Sequence, residues 1–357
     1  MNMQSFLKSL PLALVMLCGN TVLAELAPAR LLYNDGSHDD ALVISYSAGT
    51  ATYKSNEKSL NILRVSKPKL GSVYFYKPKV FSEAMSLYHA RNYQEAKVKF
   101  AECEIAYKAV DSLPNNYASL AGFYKMECSR RMFDLAALSS ELEKYRKNGL
   151  TRENHLQQLE VYTFWEAVRL KDWERLDRLA VSWQERKVPA SLRIQIEYCH
   201  ALALDQMAQK DPNRTIDALN AYSRAMIADG TTSIEMVLEA ANNALRIYAN
   251  DPGVKLAVKL WKTEDENRNT VGYQRLMEAA SLVSFYQQAG FDQLKPLEPE
   301  CQKFLNYSPP KTETAALKVE EKPKEGQKPK EDDEAKEDVE PEEKEAEGAK
   351  DAKKLRR

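Results

Sequence analysis

An aromatic residue recurs every forty positions through the middle of the chain: Tyr93 in RNYQEA (91–96), Phe133 in RMFDLA (131–136) and Trp173 in KDWERL (171–176). A period of this length marks an array of like units, because each unit carries an apolar face that only its neighbour can bury. A fourth copy runs through TIDALNAYSRA at 215–225, and a weaker fifth surrounds Leu256, Ala257 and Leu260. Each copy follows a longer amphipathic stretch beginning near residues 81, 117, 154, 190, 232 and 270. The unit therefore reads as a pair of antiparallel helices. Five complete hairpins are expected, with a sixth ending near Tyr307. Asp211-Pro212 and Asp251-Pro252 punctuate helix starts, where proline is tolerated.

Two helices of a hairpin approach to about 8–10 Å only where one side lacks a bulky side chain. Ala96, Ala136 and Ala218 are expected to serve that contact. The first copy is the best developed: Tyr93, Ala96 and Phe100 on the second helix face Ala84 on the first. In the fourth, Ala218, Tyr222 and Ala225 repeat the arrangement; in the second and third, Phe133 with Ala136 and Trp173 with Leu176 take the same places. This pattern resembles the tetratricopeptide (TPR) repeat over residues 79–307. The unit is longer than the family's 34 or so residues, Leu176 stands where the family has alanine, and the closing proline is mostly absent. A generic α-solenoid is the competing reading. The resemblance implies that the first helices line a concave surface holding extended or helical peptides. By register, His89, Lys125, Trp165 and Arg169 should face it, standing seven or eleven residues before the small or leucine residue of the following helix.

Ahead of the helices, residues 29–76 alternate with period two: ARLLY, ALVISYS, TATYKS, LNILRV and SVYFY read as five short strands. Asp35-Gly36 and Gly49 supply the positive φ of tight hairpins, while Pro68 and Gly71 mark the last connection. The order of strand lengths resembles an SH3-like small barrel, whose exposed aromatics often hold peptides; Tyr46, Tyr53, Tyr74 and Tyr76 are available for that. The expected fold class is mainly α: a TPR-like α-solenoid of five to six helical hairpins (79–307) preceded by a small five-stranded β-barrel-like domain (25–78).

The two ends have other compositions. Residues 1–24 combine Lys8, the apolar run from Leu10 to Leu17 and the small-residue site Val22-Leu23-Ala24, which reads as a secretory signal peptide. Lipidation at Cys18 is disfavoured by Leu17, where a lipoprotein signal wants a small residue. An exported protein of the periplasm or cell envelope is expected, without a membrane span, since no later segment reaches about 18 apolar residues. From Lys311 to Arg357 there are 13 basic and 16 acidic residues and no aromatic. Such a segment buries too little to offset its chain entropy, so 308–357 reads as a disordered charged tail.

Chemistry is sparse. The net charge of -1 gives no electrostatic basis for nucleic-acid binding, and the 12 glycines form no phosphate-cradling loop. His38, His89, His155 and His200 are the only histidines and stand far apart in sequence. His38 lies among Asp35, Asp39 and Asp40, but the spacing is that of a hairpin turn rather than a cation loop. Cys103, Cys128, Cys199 and Cys301 match no zinc spacing; Cys103 and Cys128 lie on neighbouring helices, where either a bridge or buried free thiols would fit. No catalytic, cofactor or metal site is expected. The reading is a scaffold or adaptor that holds a protein or peptide partner in the cell envelope. Two alternatives are a glycan-binding protein, using Trp165, Trp173, Trp183 and Trp261 as stacking surfaces, and a hydrolase without a recognisable motif.

Overall fold

The computed structural model describes residues 26–230 and 233–307. The signal peptide expected at 1–24 and the tail expected at 308–357 lie outside the described residues. Five antiparallel strands come first: β1 (Ala27–Tyr33), β2 (His38–Ser47), β3 (Thr50–Lys54), β4 (Leu63–Ser66) and β5 (Leu70–Phe75). Their order is β4-β3-β2-β1-β5, an open sheet with β4 and β5 at its edges. β2 serves two neighbours, pairing through residues 38–43 with β1 and 42–47 with β3, and the register shifts between Val43 and Ser45. An irregularity there bends the strand and sharpens the twist. Gly36 and Gly49 hold φ of +85° and +77° in the two tight turns. Asp35 accepts from the N–H and hydroxyl of Ser37, Asp39 from the Tyr33 hydroxyl, and Asp40 from Arg30 and the Tyr76 hydroxyl. These carboxylates hold the hairpin together.

The helices follow in pairs: α1 (Lys79–His89) with α2 (Tyr93–Ala106), α3 (Tyr117–Arg131) with α4 (Leu135–Lys144), α5 (Glu153–Leu170) with α6 (Trp173–Trp183), α7 (Ala190–Ala208) with α8 (Thr215–Ala228), and α9 (Ile234–Asn250) with α10 (Pro252–Leu260). The second helix of each pair packs on the first helix of the next, and α10 packs on α11 (Val271–Gln288). Among the described residues the sixth unit has no full second helix. The 3-10 turn Lys303–Tyr307 closes against α11 instead, and the four-residue α12 (Pro299–Gln302) against α9.

The turns inside the first three hairpins share one chemistry. A residue with left-handed φ, Arg91 (62°), Phe133 (56°) or Lys171 (56°), is followed by Asn92, Asp134 or Asp172, which opens the second helix. The Asp134 and Asp172 carboxylates accept from the N–H three residues on, satisfying a donor the helix leaves unpaired. These markers stand 42 and 38 residues apart, so the aromatic alignment slips by two in the second hairpin. Phe133, expected on the second helix beside Tyr93 and Trp173, is the left-handed turn residue. Ala136, expected at the close helix contact, is exposed, and Leu138 occupies the place held by Ala96 and Leu176.

Two apolar clusters fill the fold. The first joins the alternating face of the sheet (Ala27, Ala29, Leu31, Val43, Ala51) to Phe81, Ala84, Ala96 and Phe100 of the first hairpin and to α3. The second cluster runs from Met126 and Leu138 to Phe304, and takes in Leu176, Ala218, Tyr222 and Ala225. Tyr93 packs half-buried on the first cluster, and Trp173 on the second. Cys103, Cys128, Cys199 and Cys301 are buried thiols rather than disulfides. Burial raises the Cys128 thiol to about 12 and the Cys301 thiol to about 11, so neither forms a thiolate at neutral pH.

Candidate functional site

The four residues expected along a groove do not build one. Trp165 is 1% exposed, and its Nε1–H donates to Gln195 Oε1 at 2.9 Å, inside the second apolar cluster. Lys125 is held against α2 by Glu104; counted back from Leu138 rather than Ala136, the expected groove position of this hairpin falls two residues later. Arg169 is exposed and paired to Glu166 of its own helix at 2.6 and 2.8 Å, while His89 is exposed beside the Tyr88 ring. The position of the second hairpin that answers to His89 and Arg169 is Arg131. It reaches Glu235 of α9 at 2.7 Å and sits against the Tyr88 and Tyr93 rings. Phe133 packs edge-on against Trp165 and Tyr198. Side chains therefore bridge from the second hairpin to the fourth and fifth at this end of α3. The tryptophans offer little stacking surface either: Trp183 is 6% exposed and Trp261 stacks on Tyr273.

An open cleft of about 790 Å³ lies elsewhere, between β5 and the connections that lead into α3 and α5. One wall is the sheet edge. Tyr76 N–H donates to Pro28 O on β1 at 2.9 Å, with Arg30 opposite Tyr74 and Leu32 opposite Ser72. Alternation then turns the main-chain N–H and C=O of Val73 and Phe75 away from β1, on the side where no further strand follows among the described residues. The side chains of Val73 and Phe75 pack toward the core, whereas Tyr74 is 62% exposed.

The opposite wall is fixed by polar ties. Asn115, with φ of 56°, donates its N–H to Gly149 O at 2.9 Å and receives the Thr151 hydroxyl. The Asn116 side chain caps α3 by accepting from Ser119 N–H at 2.7 Å, and its amide donates to Leu113 O and Asp111 O. The Ser112 hydroxyl reaches Tyr46 O of β2 at 3.4 Å. A Cβ on Gly149 would stand 2.2 Å from both Asn116 Nδ2 and Ser119 Oγ, so only glycine fits between the two connections. Gly149→Ala is expected to cost about 1–3 kcal/mol by overpacking this buried polar knot. Chemical denaturation of the variant measures it, and an unchanged midpoint would mean that the wall is loose.

The charges at the cleft have one sign. Lys67 and Arg152 line it, both exposed and without an ion pair among the described residues, and no carboxylate lines it. The N-terminal ends of α3 and α5 add their partial positive charge. His155, against the Phe123 ring at 4.5 Å, is held below its ordinary pKa by burial and then by Arg152. It is therefore neutral at pH 7. The apolar lining comes from Tyr46, Leu113, Tyr117, Leu120 and Leu150. A second cleft, of about 920 Å³ between α7, α9 and α11, has charges of both signs, and Arg275 there is already bound to Asp251.

Tyr46 and Tyr74, singled out as barrel aromatics, come together at the first cleft, whereas Tyr53 is buried against Tyr33. Sequence reasoning missed Lys67, Arg152 and the Asn115–Gly149 knot. The pair Pro114-Asn115 and the lone Gly149 between helices were the available signals. Among the described residues no group of three or more His, Cys, Asp or Glu is placed to hold a metal ion, and no helix is long and apolar enough to cross a membrane. No protein-family model, curated protein or solved structure matches the chain.

Proposed function

We propose that this protein is an exported adaptor of the cell envelope, built on a TPR-like helical array, that holds an extended, acidic segment of a partner protein in the cleft beside β5. The observation that carries this reading is the edge of β5, unpaired among the described residues, forming one wall of a fixed cleft. A peptide laid there gains main-chain hydrogen bonds from Val73 and Phe75 by strand addition, and side-chain pockets from the apolar lining. Lys67 and Arg152 favour carboxylates on that peptide, with no acidic residue opposing them among the described residues. The succession of hairpins, each stacked on the next, supports the array, and the leader-like composition of 1–24 supports export.

The test uses a fluorescein-labelled ten-residue peptide of alternating glutamate and valine, titrated by anisotropy. Val73→Pro removes the N–H that faces the cleft and leaves the ladder to β1 intact, since proline is tolerated on an edge with its missing donor turned outward. Binding should fall at least about tenfold with the melting temperature unchanged, a loss of roughly 1.4 kcal/mol. Lys67→Glu should weaken binding too, and the difference should shrink as salt screens the charge. Equal affinity in wild type and Val73→Pro would remove strand addition from the reading.

A further inference from the structure

At the other edge of the sheet, the connection from β3 to β4 carries the most exposed aliphatic side chains of the β module. Leu60 is 93% exposed, Ile62 57% and Leu63 43%. A local turn holds them out: Ser59 N–H donates to Asn56 O at 3.2 Å, and Asn61 N–H to Ser59 Oγ at 3.3 Å. Around this apolar tip the charge is mostly of one sign. From Lys54 to Lys69 the chain has Lys54, Lys58, Arg64, Lys67 and Lys69 against the single acid Glu57. None of these five cations forms an ion pair among the described residues, whereas Lys97, Lys99, Lys125 and Arg131 on the helices each meet a carboxylate. The β2 acids Asp39 and Asp40 are engaged by Tyr33, Arg30 and Tyr76.

We propose that this tip is a docking surface for an anionic lipid bilayer, with Leu60, Ile62 and Leu63 among the acyl chains and Lys58 and Arg64 at the level of the phosphates. An aliphatic tip ringed by long basic side chains matches the layering of a bilayer surface, where apolar burial and attraction to anionic headgroups act together. The composition argues against a protein partner, whose contact would draw on aromatic residues and deplete lysine. It also argues against a second copy of the chain, because Arg64 on the β4 edge and the lysines beside it oppose edge-to-edge pairing of like strands. The inference stands apart from the peptide cleft, since only Lys67 borders both and Lys67 takes no part in the test.

The experiment is co-sedimentation of the processed chain, Glu25 to Arg357, with vesicles of phosphatidylcholine containing about 30% phosphatidylglycerol, and with phosphatidylcholine alone. Leaving out residues 1–24 keeps the apolar leader from contributing, and keeping 308–357 makes the tail common to every variant. The expected result is binding to the anionic vesicles at least about tenfold tighter than to the neutral ones, weakening as salt rises. The double variant L60S/I62S should lose about a hundredfold of that affinity with an unchanged melting temperature, because two buried aliphatic side chains are removed. K58E/R64E should abolish the preference for anionic lipid. Equal sedimentation of L60S/I62S and wild type would overturn the proposal, as would absence of binding to anionic vesicles. A wild-type dimer that L60S/I62S converts to monomer would overturn it in favour of a second copy.

Discussion

Trp165→Ala is expected to destabilise the protein by about 3–5 kcal/mol, the range for truncating a fully buried large aromatic side chain. The ring is 1% exposed and is flanked by Phe133 at 5.8 Å and Tyr198 at 6.0 Å, so its removal opens a cavity between α5, α7 and the turn before α4. The lost indole hydrogen bond adds less. Gln195 Oε1, which accepts it, also accepts from Gln158 Nε2 at 2.9 Å, so no buried acceptor is orphaned. Trp165→Phe should therefore recover most of the loss, since a ring is restored and only one donor is gone. Guanidinium unfolding followed by far-UV circular dichroism measures both variants. An unchanged midpoint for Trp165→Ala would put the ring on the surface, as its repeat register first suggested.

That register was legible only in part. The hairpins could be read from the sequence, because their first helices begin with helical runs that the structure places at Lys79, Tyr117, Glu153, Ala190, Ile234 and Val271. The phase within a hairpin could not be read from aromatics alone. Phe133 and Trp173 look equivalent by spacing, but one is a turn residue and the other opens a helix. The polar residues Asn92, Asp134 and Asp172 keep the true phase, since each opens a second helix after a left-handed residue, and they stand in the sequence for anyone who aligns caps rather than rings. Five strands were readable from their alternation, with β4 shorter and β5 starting earlier than the pattern suggests. The cleft was hidden for a different reason. It exists only because an edge strand near residue 73 lies beside connections near residues 115 and 150, a juxtaposition no local pattern encodes. Buried polar side chains are invisible in the same way: Gln158 and Gln195, or Glu127 and Arg130, look like the solvated face of a helix until their partners are placed.

Glu127 is expected to be the most costly charge to remove. It holds Arg130 through two bonds, Nε to Oε1 at 2.9 Å and Nη2 to Oε2 at 2.8 Å, and accepts the Tyr162 hydroxyl at 2.6 Å. Both side chains are almost wholly enclosed, at 7% and 2% exposure. Glu127→Gln leaves a buried guanidinium without its paired carboxylate, which typically costs about 3–5 kcal/mol. The triple variant E127M/R130M/Y162F should lose far less, because the desolvation of both charges disappears, no buried hydroxyl is left without its acceptor, and Arg130 Nη1 has no hydrogen-bond partner even in the wild type. The pH dependence distinguishes the ion pair from packing. Burial pushes the Glu127 carboxyl upward, but the charge and hydrogen bonds of Arg130 outweigh it and hold the group below its ordinary range. A carboxyl depressed by folding adds stability above its unfolded pKa of about 4.3, and that stability is lost as pH falls through the lower folded value. The gap between wild type and Glu127→Gln should therefore be widest near pH 7 and should narrow in the acid range below about pH 4. A gap that stays constant from pH 7 to pH 3 would mean that Glu127 acts through its shape and hydrogen bonds rather than its charge.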